Sequence, residues 1–485
     1  MSRSRLVRSF ASSLVVLVGL SAAPGRGVAA PPVSAPASPE PVATAPKAPP
    51  RAAPTLPHQR FVLANGMPVI LHEDHTVPTV VVDVSYDVGS RLESPGRTGF
   101  AHLFEHLMFM GTKRAPTKMF DSWMESAGGS NNAWTSEDRT NYYDWGPPTA
   151  LDLMLWLESD RMRDVGPLMT KEKLDAQRDV VRNERRQSYE NRPYGKADLE
   201  LSGMLYPPGH PYHHPVIGSH TDLEAAQVED VRAFFTKFYD PANAALIVAG
   251  DFDPAKVRPL VEKYFANIPS RGKPAAAPTP TLAPLAADVR RTETDDVELP
   301  RITLAWRSPA HLTQEDAALD ILANVLGQGA ASRLHDRFVV REKTVQEISA
   351  HQSSRALSSD FEIEVLAKKG TDLAKLERAV LDEVDKIVQK GIDKAELERA
   401  KALVEHGFFQ RIESVRERAS LLALYETEAH DAQFFAKDLQ RYASATPESI
   451  RAVAQAVFKA PKVVLTVLPG ARAPQSGSAA PEGSR

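Results

Sequence analysis

His102 and His106, with Glu105 between them, sit in the apolar run Phe100 to Met110, where a hydrophobic core would otherwise be expected. On a helix, residues three and four apart share one face. The two imidazoles can therefore close on one ion while the carboxylate stands beside it. The order H-x-x-E-H supplies two neutral nitrogen ligands, a carboxylate able to take a proton from water, and coordination positions left for water and substrate. Hydrolytic zinc chemistry needs that combination. Phe100, Ala101, Leu103, Phe104, Leu107, Met108 and Phe109 surround the motif almost completely, which predicts a buried helix where unpaired imidazoles and a carboxylate are costly. A metal removes that cost; the alternative is a pair of core histidines satisfied by protein partners.

Two histidines are too few for a stable zinc site, so a third ligand must come from another element. The leading candidate is Glu184. The pattern predicts a helix from Lys171 to about Glu190, opened by Thr170 as its N-cap. On it Gln177, Val180, Val181 and Glu184 form one stripe whose apolar members should face the core, and a carboxylate on that stripe needs a partner. The alternative for Glu184 is an ion pair with Arg178 or Arg182. Glu172 reads as a first-turn charge favourable to the helix dipole, and Glu190 as a solvated helix end. The chain contains no cysteine, which excludes a cysteine nucleophile, disulfides and a lipidated N-terminal cysteine. His, Asp and Glu remain as ligands.

The elements that must position these residues come in groups of strands and groups of helices. Arg60 to Ala64 and Met67 to His72 flank Asn65-Gly66, a hairpin signature. Thr79 to Val88 predicts a strand that delivers the chain through Gly89 to the motif helix. A short helix over Lys118 to Ser126, a Gly128-Gly129 turn, strands at Ala133 to Ser136 and Thr140 to Trp145, and a helix at Leu151 to Arg163 follow. Ala244 to Val248 reads as a closing buried strand. The second half shows a strand at Ile302 to Trp306, a helix at Gln314 to Leu326, a strand at Phe361 to Ala367, and long helices over Leu373 to Lys390 and Lys394 to Ser414. Without regular βαβ units this order predicts an α+β fold with mainly antiparallel sheets. Thr79 to Lys113 and Arg301 to Arg333 share the order strand, loop, apolar helix, small-residue turn. The halves therefore read as a divergent duplication into two homologous domains, of which the first alone holds H-x-x-E-H.

The 485 residues and a net charge of −4 leave room for two domains and give no electrostatic reason to expect nucleic acid. Arg3, Arg5 and Arg8 precede an apolar stretch from Phe10 to Leu20, and small residues run up to Ala30, the pattern of a secretory signal peptide over 1–29. An uncleaved anchor is the alternative, because Pro24, Pro31 and Pro32 crowd the cleavage points, although the stretch is short for a membrane span. Residues 30–57 form an Ala/Pro-rich segment without a core, expected to be a disordered linker. The zinc-binding domain is expected over 58–270, a second linker over 271–290, the metal-free domain over 291–470, and a solvated tail over 471–485.

Four segments together resemble successive signatures of the pitrilysin/insulinase metallopeptidases, the inverzincins. They are His102 to His106 with Met108-Phe109-Met110-Gly111-Thr112, Asn131 to Ser136, Thr140-Asn141-Tyr142-Tyr143, and Arg178 to Glu184. The resemblance runs from about Arg60 to Leu468, in a short two-domain form similar to the beta subunits of mitochondrial processing peptidase. It implies one Zn²⁺ per chain held by His102, His106 and Glu184. It also implies an endopeptidase in which Glu105 is the general base toward zinc-activated water and then donates a proton to the leaving amine. Asn132 and Ala133 match the family's edge strand, which pairs with an extended peptide substrate; read from the residues alone, Asn131-Asn132 suit a turn. Where the family usually has a further Glu, this chain has Gln177.

The family also closes a clam-shell chamber from four homologous domains, of which this chain supplies two, and an Arg and a Tyr seven residues apart hold substrate from the opposite half. Arg341 matches that Arg, but the position seven residues on is Ile348. A second family subunit bearing the Arg/Tyr pair is therefore expected as partner, with a homodimer using Arg341 as the alternative. The location implied is secreted across the inner membrane, in the periplasm. A different class remains open: a zinc-binding structural or peptide-binding subunit without turnover.

Overall fold

The computed structural model describes residues 55–277 and 280–470. The expectations for 1–29, for most of 30–57 and for 471–485 lie outside the described residues. A first sheet is built from β1 (Gln59–Val62), β2 (Pro68–Glu73), β3 (Val80–Tyr86), β4 (Ser130–Thr135), β5 (Thr140–Gly146) and β6 (Ala244–Gly250). Its order is β1-β2-β6-β3-β5-β4, and β2 and β6 are its parallel pair. The second sheet uses β7 (Val289–Asp295), β8 (Arg301–Ser308), β9 (Val345–Ser353), β10 (Ser359–Ala367) and β11 (Val463–Pro469). It is ordered β7-β11-β8-β10-β9 with β7 and β11 parallel. From β2 onward the two sheets agree strand for strand, including the place of the parallel pair. The α+β class and the duplication read from the sequence are both borne out.

Every residue of β3 is buried, which explains a valine run without clean alternation: both faces of the strand are covered. On one face Val80, Val82 and Val84 meet the first half's own helices, α1 (Phe100–Leu107), α2 (Met119–Ser126) and α3 (Leu151–Asp164). On the other, Val81 with Ile70, Ala245 and Ile247 packs against Ala419, Leu422 and Ala423 of the helix Val415–Leu424, which belongs to the second half. The exchange is reciprocal. After α4 (Lys171–Arg185), α5 (Gly195–Leu205) lays Ala197, Met204 and Leu205 on Ala305, Val463, Leu465 and Val467 of the second sheet.

This interleaving modifies the segment boundaries read from composition. Leu56, inside the stretch 30–57, is buried against the core shared with Val415–Leu424. Within 271–290, Leu282 and Leu285 pack beside α5, and β7 already begins at Val289. Apolar residues at intervals of three or four anchor what the Ala/Pro content alone would leave unattached. Among the described residues, no helix is long and apolar enough to cross a membrane.

Candidate active site

The start of α1 is pinned by its surroundings. Gly99 precedes the helix in the left-handed region at φ 85°, and a Cβ on it would stand 2.7 Å from the Ile217 carbonyl. A Cβ on Gly218 would lie 2.3 Å from the Gly99 nitrogen. Only glycine permits so close a passage of two backbones. Glu93, its side chain fully buried, accepts from Gly99 N at 2.9 Å and from Ala101 N at 2.7 Å. It thereby satisfies two of the donors that a helix start leaves open. His214 lies 3.6 Å from the same carboxylate.

α1 then presents His102 and His106 on one face, toward α4. Glu184 Oε2 lies 3.4 Å from His106 Nε2 and 3.8 Å from His102 Nε2. The three donor atoms fall within 4.8 Å of one another, and among the described residues this is the one group of three or more such side chains so placed. Burial, with His106 beside it, pushes His102 down to about 4, so its imidazole is neutral at pH 7. Burial also works against charge on His106, but the Glu184 hydrogen bond and the Glu105 and Glu184 carboxylates raise it overall. The His106 hydrogen bond in turn lowers Glu184. Glu105 is only 7% exposed. Burial raises its pKa, opposed by the Thr135 hydroxyl, which donates to Oε2 at 2.5 Å.

Thr170 caps α4 as expected, accepting from Lys173 N. The stripe on α4 differs from the expected one: Leu174 and Val181 face the core while Val180 is exposed, because the helix packs along one side only. Glu184 is accordingly half-exposed, reaching the histidines from the rim. The alternative pairing is not made. Arg178 bonds Asp175 and the carbonyls of Leu223 and Ala226, and Arg182 pairs with Glu224. Glu190 departs from the solvated end expected, being largely buried between Arg185 and His220.

Asn132 and Ala133 lie on β4, the edge of the first sheet, rather than in a turn; the strand begins at Ser130 and ends at Thr135. Tyr142 is a core residue whose hydroxyl meets that of Tyr239 at 2.9 Å, and Tyr143 stacks on Trp145. Arg341 is exposed and paired with Asp336 at 2.6 Å, within its own helical turn. Ile348 is buried on β9 in the core of the second half. A tyrosine at that position would point into packed side chains, so replacing Ile348 is not a route to a substrate-holding hydroxyl.

Three contacts at the site were not anticipated from the sequence. Thr135 on Glu105 and Glu93 on the α1 start join residues 30 and 6 to 8 positions apart, through loops whose path no periodicity reveals. Gln177 donates to Met110 Sδ at 2.9 Å and helps to raise His106. Its place two turns before Glu184 was visible; its partner was not.

Comparison with known proteins matches this chain to a family. A family model described as Insulinase (Peptidase family M16) matches residues 68–199, and one described as Peptidase M16 inactive domain matches residues 225–404. The chain is 30% identical over 373 residues to the zinc protease PqqE of Helicobacter pylori, covering 76% of this chain and 83% of that protein. The crystal structure of a protease from Helicobacter pylori superimposes with a TM-score of 0.78 at 28% identity, over 86% of this chain and 100% of the other. The periplasmic protease PqqL from Escherichia coli shares the fold with a TM-score of 0.71 at 20% identity, over 86% of this chain but 48% of its own. With both halves matched, and similarity at that level over most of a relative's length, the chain belongs to the insulinase family of peptidases, M16.

Proposed function

We propose that this chain is a zinc-dependent endopeptidase acting on peptides or unfolded polypeptide segments, with His102, His106 and Glu184 as ligands and Glu105 as the proton carrier. The observation that carries this reading is the convergence of two Nε2 atoms and a carboxylate oxygen within 4.8 Å beside a buried glutamate. Donors about 2.0–2.1 Å from a tetrahedral zinc are separated by about 3.3 Å, close to the 3.4 and 3.8 Å between Glu184 and the two histidines. When bound, zinc supplies Lewis acidity, polarising a carbonyl and acidifying water. Glu105, steadied by Thr135, takes the proton of the attacking water and returns it to the leaving amine. The free edge of β4 offers the backbone of Asn132 and Ala133 to an extended substrate by strand addition.

In this reading the chain encloses its substrate by pairing. It spans 48% of PqqL, so two such chains equal one longer relative. Arg341 is engaged by Asp336 and Ile348 is buried, which favours a second family subunit carrying the Arg/Tyr pair over a homodimer. The N-terminal pattern and the periplasmic designation of PqqL support export to the periplasm.

The experiment is peptide cleavage from a mixed library by the chain alone and with a companion family subunit, wild type against Glu105→Gln. We expect zinc retained and cleavage abolished in the variant, and faster turnover with the companion. Full activity of Glu105→Gln would refute the mechanism. A homo-oligomer already at full speed, with no gain from any companion, would refute the heteromer. Wild type that binds zinc and cleaves nothing with any companion would leave a structural or peptide-binding subunit.

A further inference from the structure

The hairpin β4–β5 ends in the loop 136–139, and its last β4 residue, Thr135, is the one that bonds Glu105. Three consecutive residues of that loop reach into the second half. Glu137 pairs with Arg355 at 3.0 Å, Asp138 Oδ2 accepts from Ala356 N at 2.9 Å, and Arg139 pairs with Glu428 at 3.7 Å. Arg355 and Ala356 belong to the turn joining β9 and β10, the second sheet's counterpart of β4–β5. The two equivalent hairpins therefore meet tip to tip.

Asp138 is the node of this contact. It is buried, and besides Ala356 N its carboxylate accepts from the Tyr212 hydroxyl at 2.6 Å and lies 3.2 Å from Arg91 Nε. The Tyr212 hydroxyl itself accepts from Leu357 N at 3.0 Å, so both of its hydrogen-bonding directions are used within the junction. Arg91 sits in the lead-in to α1, and its backbone nitrogen donates to the Glu137 carbonyl at 2.9 Å. One carboxylate thus ties together the second half, the edge strand and the approach to the histidine helix. Apolar surfaces such as α5 on the second sheet hold the halves together but resist sliding weakly. Directional hydrogen bonds to buried groups fix position.

We infer that the second half takes part in turnover through this junction: Asp138 is a positioning residue that sets β4, and through Thr135 the placement of Glu105. The inference rests on the peptidase reading above. Losing the carboxylate loosens the hairpin tip three residues from Thr135, although Glu137–Arg355 and Arg139–Glu428 remain. Asn132 and Ala133, further along and paired with Tyr143 and Tyr142 of β5, stay in register. The effect should therefore fall on kcat more than on KM, since small misplacements of a reacting group are costly in rate.

The test is Asp138→Ala in the full chain, in whichever assembly gives wild-type turnover, with zinc content, kcat, KM and amide exchange over residues 130–135 measured together. Unchanged zinc, kcat lower by about tenfold, KM within threefold and faster exchange in β4 are expected, with Asp138→Asn, which keeps an acceptor for Ala356 N but turns an amide NH2 toward Tyr212 and Arg91, falling between wild type and Asp138→Ala. Should Asp138→Ala not fold, Tyr212→Phe removes one hydroxyl and keeps the ring, and should lower kcat severalfold with the same exchange signature. Wild-type kcat and wild-type β4 exchange in the folded variants would overturn the inference, even if the melting temperature falls. If wild type itself cleaves nothing, the peptidase reading fails, and β4 exchange alone decides whether Asp138 braces the strand.

Discussion

Replacing Glu93 with alanine should damage the candidate metal site without touching a candidate ligand. The side chain is fully buried and its two oxygens accept from Gly99 N and Ala101 N at 2.9 and 2.7 Å. Gly99 and Ala101 are buried as well, so water does not readily replace the acceptor. Each buried donor left unsatisfied costs about 1–3 kcal/mol, which places the loss at about 2–6 kcal/mol. Glu93→Gln keeps one oxygen and the shape, and should cost about half as much. For ~400 residues unfolding together, the entropy scale of about 2.1 cal/mol/K per residue converts a 4 kcal/mol loss into roughly 5 °C. His102, a candidate ligand, lies in the first turn that Glu93 holds, so zinc affinity should fall as well. Urea unfolding and zinc titration against a competing chelator measure the two effects separately. A Glu93→Ala protein within about 0.5 kcal/mol of wild type, with unchanged zinc affinity, would refute the assignment of α1's anchor to this carboxylate.

Two further outcomes follow from other parts of the structure. Glu184→Ala should leave the fold intact and abolish stoichiometric zinc after dialysis, because two histidines alone bind weakly; wild-type zinc content would mean the third ligand lies elsewhere. Asp83, at the centre of β3, is held by burial at about 7, with the Asn141 amide opposing, against about 3.9 in an unfolded chain. Between those values the folded state keeps a proton that the unfolded state has lost. This contribution is therefore present in full below about pH 4 and is lost as pH rises through about 7, by up to about 4 kcal/mol. Asp83→Asn should flatten that decline in urea midpoints taken from pH 4.5 to 8, and parallel curves for the two proteins would exclude the effect.

The parts of this molecule legible in the sequence are those governed by local period and cap chemistry. Gln314–Leu326 and Leu373–Lys390 form as the pattern predicts, each opened by a capping Thr313 or Asp372, and the Asn65-Gly66 hairpin joins β1 to β2. The helix that carries His102 and His106 was legible because polar residues at i, i+3 and i+4 interrupt an apolar run. β9 and β11 were not singled out. β9 is an edge strand with a mixed burial pattern, and β11 is a short apolar run that periodicity cannot distinguish from a helix. Val180 misled for a related reason: an apolar residue beside a stripe looks like part of it until the packing partner is known. Glu93, Thr135 and Asp138 act through contacts between loops, and their residue types are equally common at solvated turns.

The duplication explains how a half without metal ligands still bears on the site. Glu184 stands on α4, and the chain continues from α4 through Arg186–Glu190 into α5, whose apolar face is laid on the second sheet. Tyr194 at the start of α5 donates from its hydroxyl to the Leu299 carbonyl at 2.8 Å and from its backbone nitrogen to Asp295 at 2.9 Å. The histidines, in contrast, stand on a helix packed on the first sheet. The candidate ligand set thus lies in the first half, with α4 held in its core through Leu174 and Val181, but α4 runs on into an element laid on the second sheet. In return, the second half's Val415–Leu424 covers the outer face of the sheet that supports the histidines. Substitutions in the second half can therefore act on the geometry of a candidate site it does not contain. The surfaces through which they would act are those that receive α5 and meet the β4–β5 tip.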